Sequence, residues 1–300
     1  MITITKEVAE SRLQYWKNKI PDMVSKYTPA LPIPRYDKPF VFFHNRKVGG
    51  SSLRTIIAKE ANRTGLAGKM WIPCKNEGCV PYSLPPSQGN ITIFAGHINY
   101  MQMTQIIRET KARSILLGMT EPITLEKGQT VSYHKLDDSY PLFDCITNIR
   151  PTIDRVVSCW NYRMTVEMGT LRLPSSDSLT PEDWNNLLPV AMDKHNNGCN
   201  NEYARIFGST AHESEVNSLS PSKPNFLQEF ENIVSRMSRC AIVHINRCED
   251  SNKILHHFVP WMSMADMCGT HEKNSNSTGG LSEEAAEVIL ELELHGRIVI

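Results

Sequence analysis

An α/β fold with a central parallel sheet flanked by helices follows from three observations. Short continuous apolar runs recur along the chain, each suited to a strand buried on both faces. Each run is followed by a turn and then by a helical pattern, the alternation that builds a parallel sheet with crossover helices. At 300 residues with 40% hydrophobic content, the chain is long enough to bury a full core. No Pro/Gly/Ser-rich linker divides it, so one domain is expected over residues 39–300, preceded by a helix and an extended connector in residues 1–38.

The elements read in order as follows. Residues 6–27 form a polar amphipathic leading helix, and TPALPIPRYDKP then runs extended, because each proline fixes its own φ and restricts its predecessor. Phe40-Val41-Phe42-Phe43 is the first buried strand; after a Gly-Gly turn, Ser51 to Ala58 opens a helix with a hydroxyl at its cap. Ile91-Thr92-Ile93-Phe94 is a strand and residues 101–112 its helix; Phe143 to Ile149 and residues 152–165 repeat the unit. Helices follow at 181–193 and 199–207, then a polar loop near 209–224 and a helix over 225–237. Ala241 to Ile245 is another buried strand, with its helix at 249–258. The polar run HEKNSNSTGG at 271–280 is a loop, and Ser282 with Glu283 and Glu284 starts a last helix, where carboxylates favour the positive end of the dipole. In such sheets ligands bind at the carboxyl ends of the strands.

Charge narrows the partners. The 32 Lys and Arg balance 32 Asp and Glu, so no global field attracts nucleic acid or another long polyanion, although a local basic cleft is compatible with that average. No paired CxxC motifs and no Cys-associated His pair occur, so no metal is expected. The leading segment lacks the apolar core of a signal peptide, and nothing approaches the ~18 apolar residues of a membrane span. Cys145, Cys159 and Cys240 lie in or beside apolar runs and read as buried thiols. Cys74 and Cys79 bracket a polar turn that an oxidising compartment would close as a disulfide. Asn-x-Ser/Thr sequons at Asn62, Asn90 and Asn276 carry little weight alone in a chain this rich in asparagine.

Two strand–turn–helix segments carry chemistry. In His44-Asn45-Arg46-Lys47-Val48-Gly49-Gly50-Ser51-Ser52, glycines let backbone N–H groups close on an anion, the helix start adds positive potential, and Lys47 supplies a mobile charge. Arg46, Lys47, Gly49, Gly50, Ser51 and Ser52 are the candidate phosphate contacts. The lysine precedes the glycines, so this is not a Walker A loop. In the second segment Arg150 lies at a strand end and Ser158 two turns into the next helix, a fork and a hydroxyl suited to a phosphate monoester.

These segments resemble motifs of the carbohydrate sulfotransferases that use 3′-phosphoadenosine 5′-phosphosulfate (PAPS). FFHNRKVGGSSLR is similar to the family's 5′-phosphosulfate loop, FxHxPKTGGTSL, at Phe42, His44, Lys47, Gly49, Gly50, Ser52 and Leu53. Arg46, Val48 and Ser51 depart from it. Residues 150–158 resemble the 3′-phosphate motif LRDPVERFLSxY at Arg150, Asp154, Arg155 and Ser158, with Pro151-Thr152 in place of Asp-Pro. Asn246 to Ser251 is similar to the family's TERFEES stretch, and LELELH to its closing LDxxLY. The resemblance covers most of 39–296 and implies a P-loop-like sulfotransferase fold with PAPS as co-substrate.

The implied reaction moves a sulfuryl group to an acceptor hydroxyl by in-line displacement, with Lys47 neutralising the bridging oxygen and a base taking the acceptor proton. His97 is the expected base, because it follows a strand and lies in a Gly-His-Ile segment similar to the Gly-His-Val-type segment of the heparan/dermatan uronyl 2-O-sulfotransferase-like group. His44 is expected to orient the loop, and His256 and His257 to be structural; Glu121 and Asp144 are the alternative bases. Trp160, Asn161 and Tyr162 suit sugar rings, and Arg163 and Arg205 an acidic sugar. The acceptor is a carbohydrate or a small-molecule alcohol. A kinase-like protein and a degenerate nucleotide-binding member of the same fold are the competing readings. A glycan enzyme lacking its anchor here would work in the Golgi lumen; otherwise the chain is cytoplasmic.

Overall fold

The computed structural model describes residue 14 and residues 33–71, 90–116, 142–162, 174–194, 202–208, 226–269 and 281–294. The expected leading helix, the Cys74–Cys79 turn, Glu121, Arg163, Asn276 and the loops at 209–224 and 271–280 lie outside them.

The fold is α/β, with a five-stranded central sheet whose four pairings are all parallel. The strands are β1 (Phe40–Phe43), β2 (Met70–Trp71), β3 (Ile93–Gly96), β4 (Asp144–Ile149) and β5 (Ala241–His244), in the spatial order β2-β3-β1-β4-β5. The helices are α1 (Gly50–Arg63), α2 (Tyr100–Leu116), α3 (Thr152–Cys159), α4 (Pro181–Lys194), α5 (Glu202–Phe207), α6 (Phe226–Met237), α7 (Cys248–Phe258) and α8 (Glu283–Leu294). Two expectations shift. β3 runs two residues later than the apolar run suggested, because backbone pairing with β1 carries it to Gly96, opposite Phe43. α3 is regular only to Cys159, and residues 160–162 continue as a wider turn.

Two-sided burial explains the unbroken apolar strands. Phe40 and Phe42 face a core filled by Leu53, Ile56 and Ile57 of α1, Leu255 of α7, and Trp261. Val41 and Phe43, on the opposite face of the pleat, meet Met103 and Ile107 of α2, Phe207 of α5 and Ile233 of α6. α3 contributes Val156 and Val157 to a third cluster with Trp184 and Leu188 of α4 and Ile289 of α8. β1 is the central strand. After it the chain crosses to β2 and β3 on one side, and then to β4 and β5 on the other. The carboxyl ends of β1 and β4 therefore flank the topological switch point, where open α/β sheets take their ligands.

The three cysteines read as thiols are disulfide-bonded. Cys145 of β4 bridges Cys240, immediately before β5. The register pairs Ile146 with Ala241, so the two cysteines are neighbours across parallel strands, a relation that no local sequence pattern reveals. Cys248 of α7 bridges Cys268, and Cys159 is also bonded. No cysteine among the described residues is free. Among them, too, no helix is long and apolar enough to cross a membrane, and no cluster of His, Cys, Asp and Glu could hold a metal ion.

Candidate functional site

The loops after β1 and β4 are stitched together by buried polar side chains. Asn45 donates from Nδ2 to Thr147 Oγ1 and to the Asn148 carbonyl, both at 2.8 Å. Thr147 donates back to the Phe43 carbonyl at 3.0 Å, and Asn148 donates to the Val48 carbonyl at 2.6 Å. Arg150 adds a longer bond, Nη1 to the Lys47 carbonyl at 3.4 Å. Two segments about a hundred residues apart in sequence thus form one rigid rim, since a buried amide left unpaired would be costly.

Within that rim Lys47 has φ 61°, a left-handed conformation uncommon for a residue with a Cβ. Its ammonium lies 4.0 Å from the centre of the Tyr162 ring. Gly49, at φ 76°, caps α1, whose start has no side-chain cap. Each glycine also meets a packing demand. A Cβ on Gly49 would stand 2.1 Å from Ile245 Cδ1, and one on Gly50 would stand 1.8 Å from His44 Cδ2. Ser52 is buried beside them and Ser51 half-buried.

His97 follows Gly96, the last residue of β3, and is fixed from both sides. Its Nδ1 lies 2.8 Å from the His44 carbonyl. A carbonyl only accepts, so Nδ1 carries the proton and Nε2 keeps the lone pair. The His44 ring stacks on it with centroids 4.0 Å apart, and Phe42 stacks behind His44. On the C-terminal side, Asn99 Oδ1 accepts from the N–H groups of Met101 and Gln102, while Gln102 Oε1 accepts from Asn99 N. This reciprocal capping box starts α2. Burial pushes the His97 pKa down to about 4, helped by Arg46 and Arg54 and opposed by Glu202. His44 is pushed well below its ordinary value by burial first, then by His97 and the same arginines. Both rings are neutral near pH 7.

Beneath the rim lies Glu202 of α5, fully buried. Its Oε1 accepts from the Arg46 N–H at 3.0 Å, with the Arg46 guanidinium 4.0 Å away, and its Oε2 pairs with Arg205. Burial alone would raise its pKa, but Arg205, Arg46 and Arg155 hold it at about 2. Arg155 also sits 5.7 Å from the centre of the Tyr203 ring. The chain is neutral overall, yet this edge gathers Arg46, Lys47, Arg54, Arg150, Arg155 and Arg205 around Glu202 and Asp154.

Lys47, Gly49, Gly50, Ser51, Ser52, Arg150 and His97 thus come to the carboxyl ends of adjacent strands. Arg150 is half-buried, and its Nε is buried with no hydrogen-bond partner among the described residues. Ser158 belongs to the same β4–α3 unit but is 1% exposed. The Arg46 side chain turns inward to Glu202, so the loop offers Lys47, not Arg46, as its outward cation. Four expectations are corrected. Arg205 is buried against Glu202 and does not reach a sugar. Trp160 is buried against Trp184, and its indole N–H donates to the Pro174 carbonyl. Asn161 is engaged with Ser176. Asp144 starts β4 at the opposite edge of the sheet, 2.8 Å from Lys38 Nζ. Sequence reasoning missed Glu202, for which the only signal was its spacing three residues before Arg205.

No protein-family model matches the chain, and no curated protein matches it in sequence.

Proposed function

We propose that the chain is a PAPS-dependent sulfotransferase of P-loop-like fold acting on a carbohydrate hydroxyl. The observation that carries this reading is the fixed tautomer of His97, whose Nε2 lone pair lies at the sheet edge that also bears Lys47 and Arg150. The anion-holding parts fit the donor. The start of α1, which has no side-chain cap, and Lys47 suit the 5′-phosphosulfate, and Arg150, with its buried unpartnered Nε, suits the 3′-phosphate. When bound, the donor supplies an activated sulfuryl group. His97 accepts the acceptor's proton as the hydroxyl oxygen bonds to sulfur and the bond from sulfur to the phosphate oxygen breaks. Lys47 neutralises the charge left on that oxygen. The Cys145–Cys240 and Cys248–Cys268 bridges favour an oxidising compartment, and so the Golgi lumen over the cytoplasm.

Calorimetry with 3′-phosphoadenosine 5′-phosphate tests the donor site on the wild type, Lys47→Ala and Arg150→Ala. Binding that weakens at least tenfold in both variants, with ATP much weaker than the bisphosphate, is the expected result. Folded protein with no affinity for the bisphosphate would overturn the reading. Sulfate transfer in a glycan screen should then fall about 10²–10⁴-fold in His97→Ala, the range for loss of a general base. Intact binding with no transfer to any acceptor, unaffected by His97, would mark a degenerate nucleotide-binding protein instead.

A further inference from the structure

We propose that Asn62 and Asn90 carry N-linked glycans, both on the sheet edge opposite the candidate site. The inference does not depend on the proposed reaction. It rests on three features that the sequence could not join.

The tripeptides Asn62-Arg63-Thr64 and Asn90-Ile91-Thr92 are acceptor sequences for this modification. Taken alone they prove little. The bridges Cys145–Cys240 and Cys248–Cys268 add that the chain folds where thiols are oxidised, which is the environment in which such sequences are read. The folded positions add that both asparagines are exposed, as a bulky polar substituent requires.

Their placement is shared. α1 starts at the carboxyl edge of β1, packs back along the sheet, and ends at Arg63, so Asn62 stands at the amino edge. There its carbonyl accepts from Gly65 N at 3.2 Å, while its side chain is left outward. The chain then turns through Ala67–Lys69 into β2, and the Lys69 carbonyl accepts from Thr92 N at 2.9 Å, just before β3. The second acceptor sequence is thereby held at the same amino edge. Lys47, His97 and Arg150 all follow the carboxyl ends of their strands.

Thr92 is 4% exposed in the folded protein, so attachment precedes folding. Each asparagine Nδ2 bonds to C1 of an oligosaccharide carried on a lipid pyrophosphate. The C1–O bond breaks, the lipid pyrophosphate leaves, and the amide gives up one proton.

The test is peptide mass spectrometry on the protein purified from the cells that make it, after peptide N-glycosidase treatment in heavy-oxygen water. Labelled aspartate at positions 62 and 90 is the expected result; an unmodified asparagine at either position in the purified protein overturns the proposal. In parallel, the full chain secreted from eukaryotic cells should lose one glycan's mass in Asn62→Gln and one in Asn90→Gln. Affinity for 3′-phosphoadenosine 5′-phosphate should stay within about twofold of wild type in both, which tests their placement away from the site. A larger loss in folded variants would contradict that placement. Absence of nucleotide binding in the wild type would count against the proposed reaction and leave the mass result standing.

Discussion

His44, buried, and His97, half-buried, form a stacked pair whose protonation the fold resists. Both have pKa values lowered from an ordinary 6.5, so the unfolded chain binds protons that the native state refuses as pH falls below that value. Their stabilising contribution is present above pH 6.5 and, for His97, is lost as pH falls to about 4. Glu202, lowered from 4.5 to about 2, adds a second loss between those values. Urea denaturation across pH should therefore show stability declining in two successive windows, and replacing both histidines with Asn or Gln should remove the upper one. Glu202→Gln should cost about 3–5 kcal/mol at neutral pH, because it strips the carboxylate from arginines that remain buried. The same denaturation measurement reads it. None of this was legible from residue types. Glu202 meets the Arg46 backbone across 156 positions, and a lone acid in an amphipathic helix looks like any solvated one.

At the scale of the element, the strand–loop–helix units were legible because a strand buried on both faces must be apolar throughout, and Phe40–Phe43 is. β2 was not, since two residues at a sheet edge carry no periodicity. The disulfides escaped for a related reason. Cys145 and Cys240 sit among apolar neighbours as thiols would, and only the parallel register brings them opposite each other. Replacing both with Ala should cost about 2–5 kcal/mol, measured as a fall in denaturation midpoint, because the bridge closes a loop of 95 residues. The loop proposed to hold phosphate was singled out by its glycines, and the structure adds a second reason for them. Gly50→Ala would push the His44 ring off its position, and overpacking of this kind costs about 1–3 kcal/mol. The expected outcome is lower stability together with, if the proposed reaction holds, a loss of sulfate transfer, since the His44 ring stacks on His97. Unchanged transfer in Gly50→Ala would separate the loop's packing from its chemistry.

The whole molecule is electrically neutral, and its charge is nevertheless sorted. Because the carboxyl edge of the sheet concentrates arginine and lysine, the proposed donor nucleotide should bind less tightly as salt rises, most steeply at low ionic strength, where the screening length falls from about 30 Å at 0.01 M to ~10 Å at 0.1 M. Calorimetry at several ionic strengths checks this, and a flat response would argue against an electrostatic anion site. Sequence reasoning saw the neutrality and could not see the sorting, which depends on which loops become neighbours.

That neighbourhood also fixes when the site can exist. Among the described strands β1 is the earliest and the central one, and its partners β3 and β4 arrive some 50 and 100 positions later. Asn45 finds Thr147 across 102 residues, so the loop that holds Lys47 has no rim to lock into until β4 has left the ribosome. Chains with contacts this distant fold slowly, because long loops must close before any contact repays them. Until then the Phe40–Phe43 strand waits with the edge that β4 will pair still open. A nascent chain in that interval needs a chaperone more than the finished protein ever does.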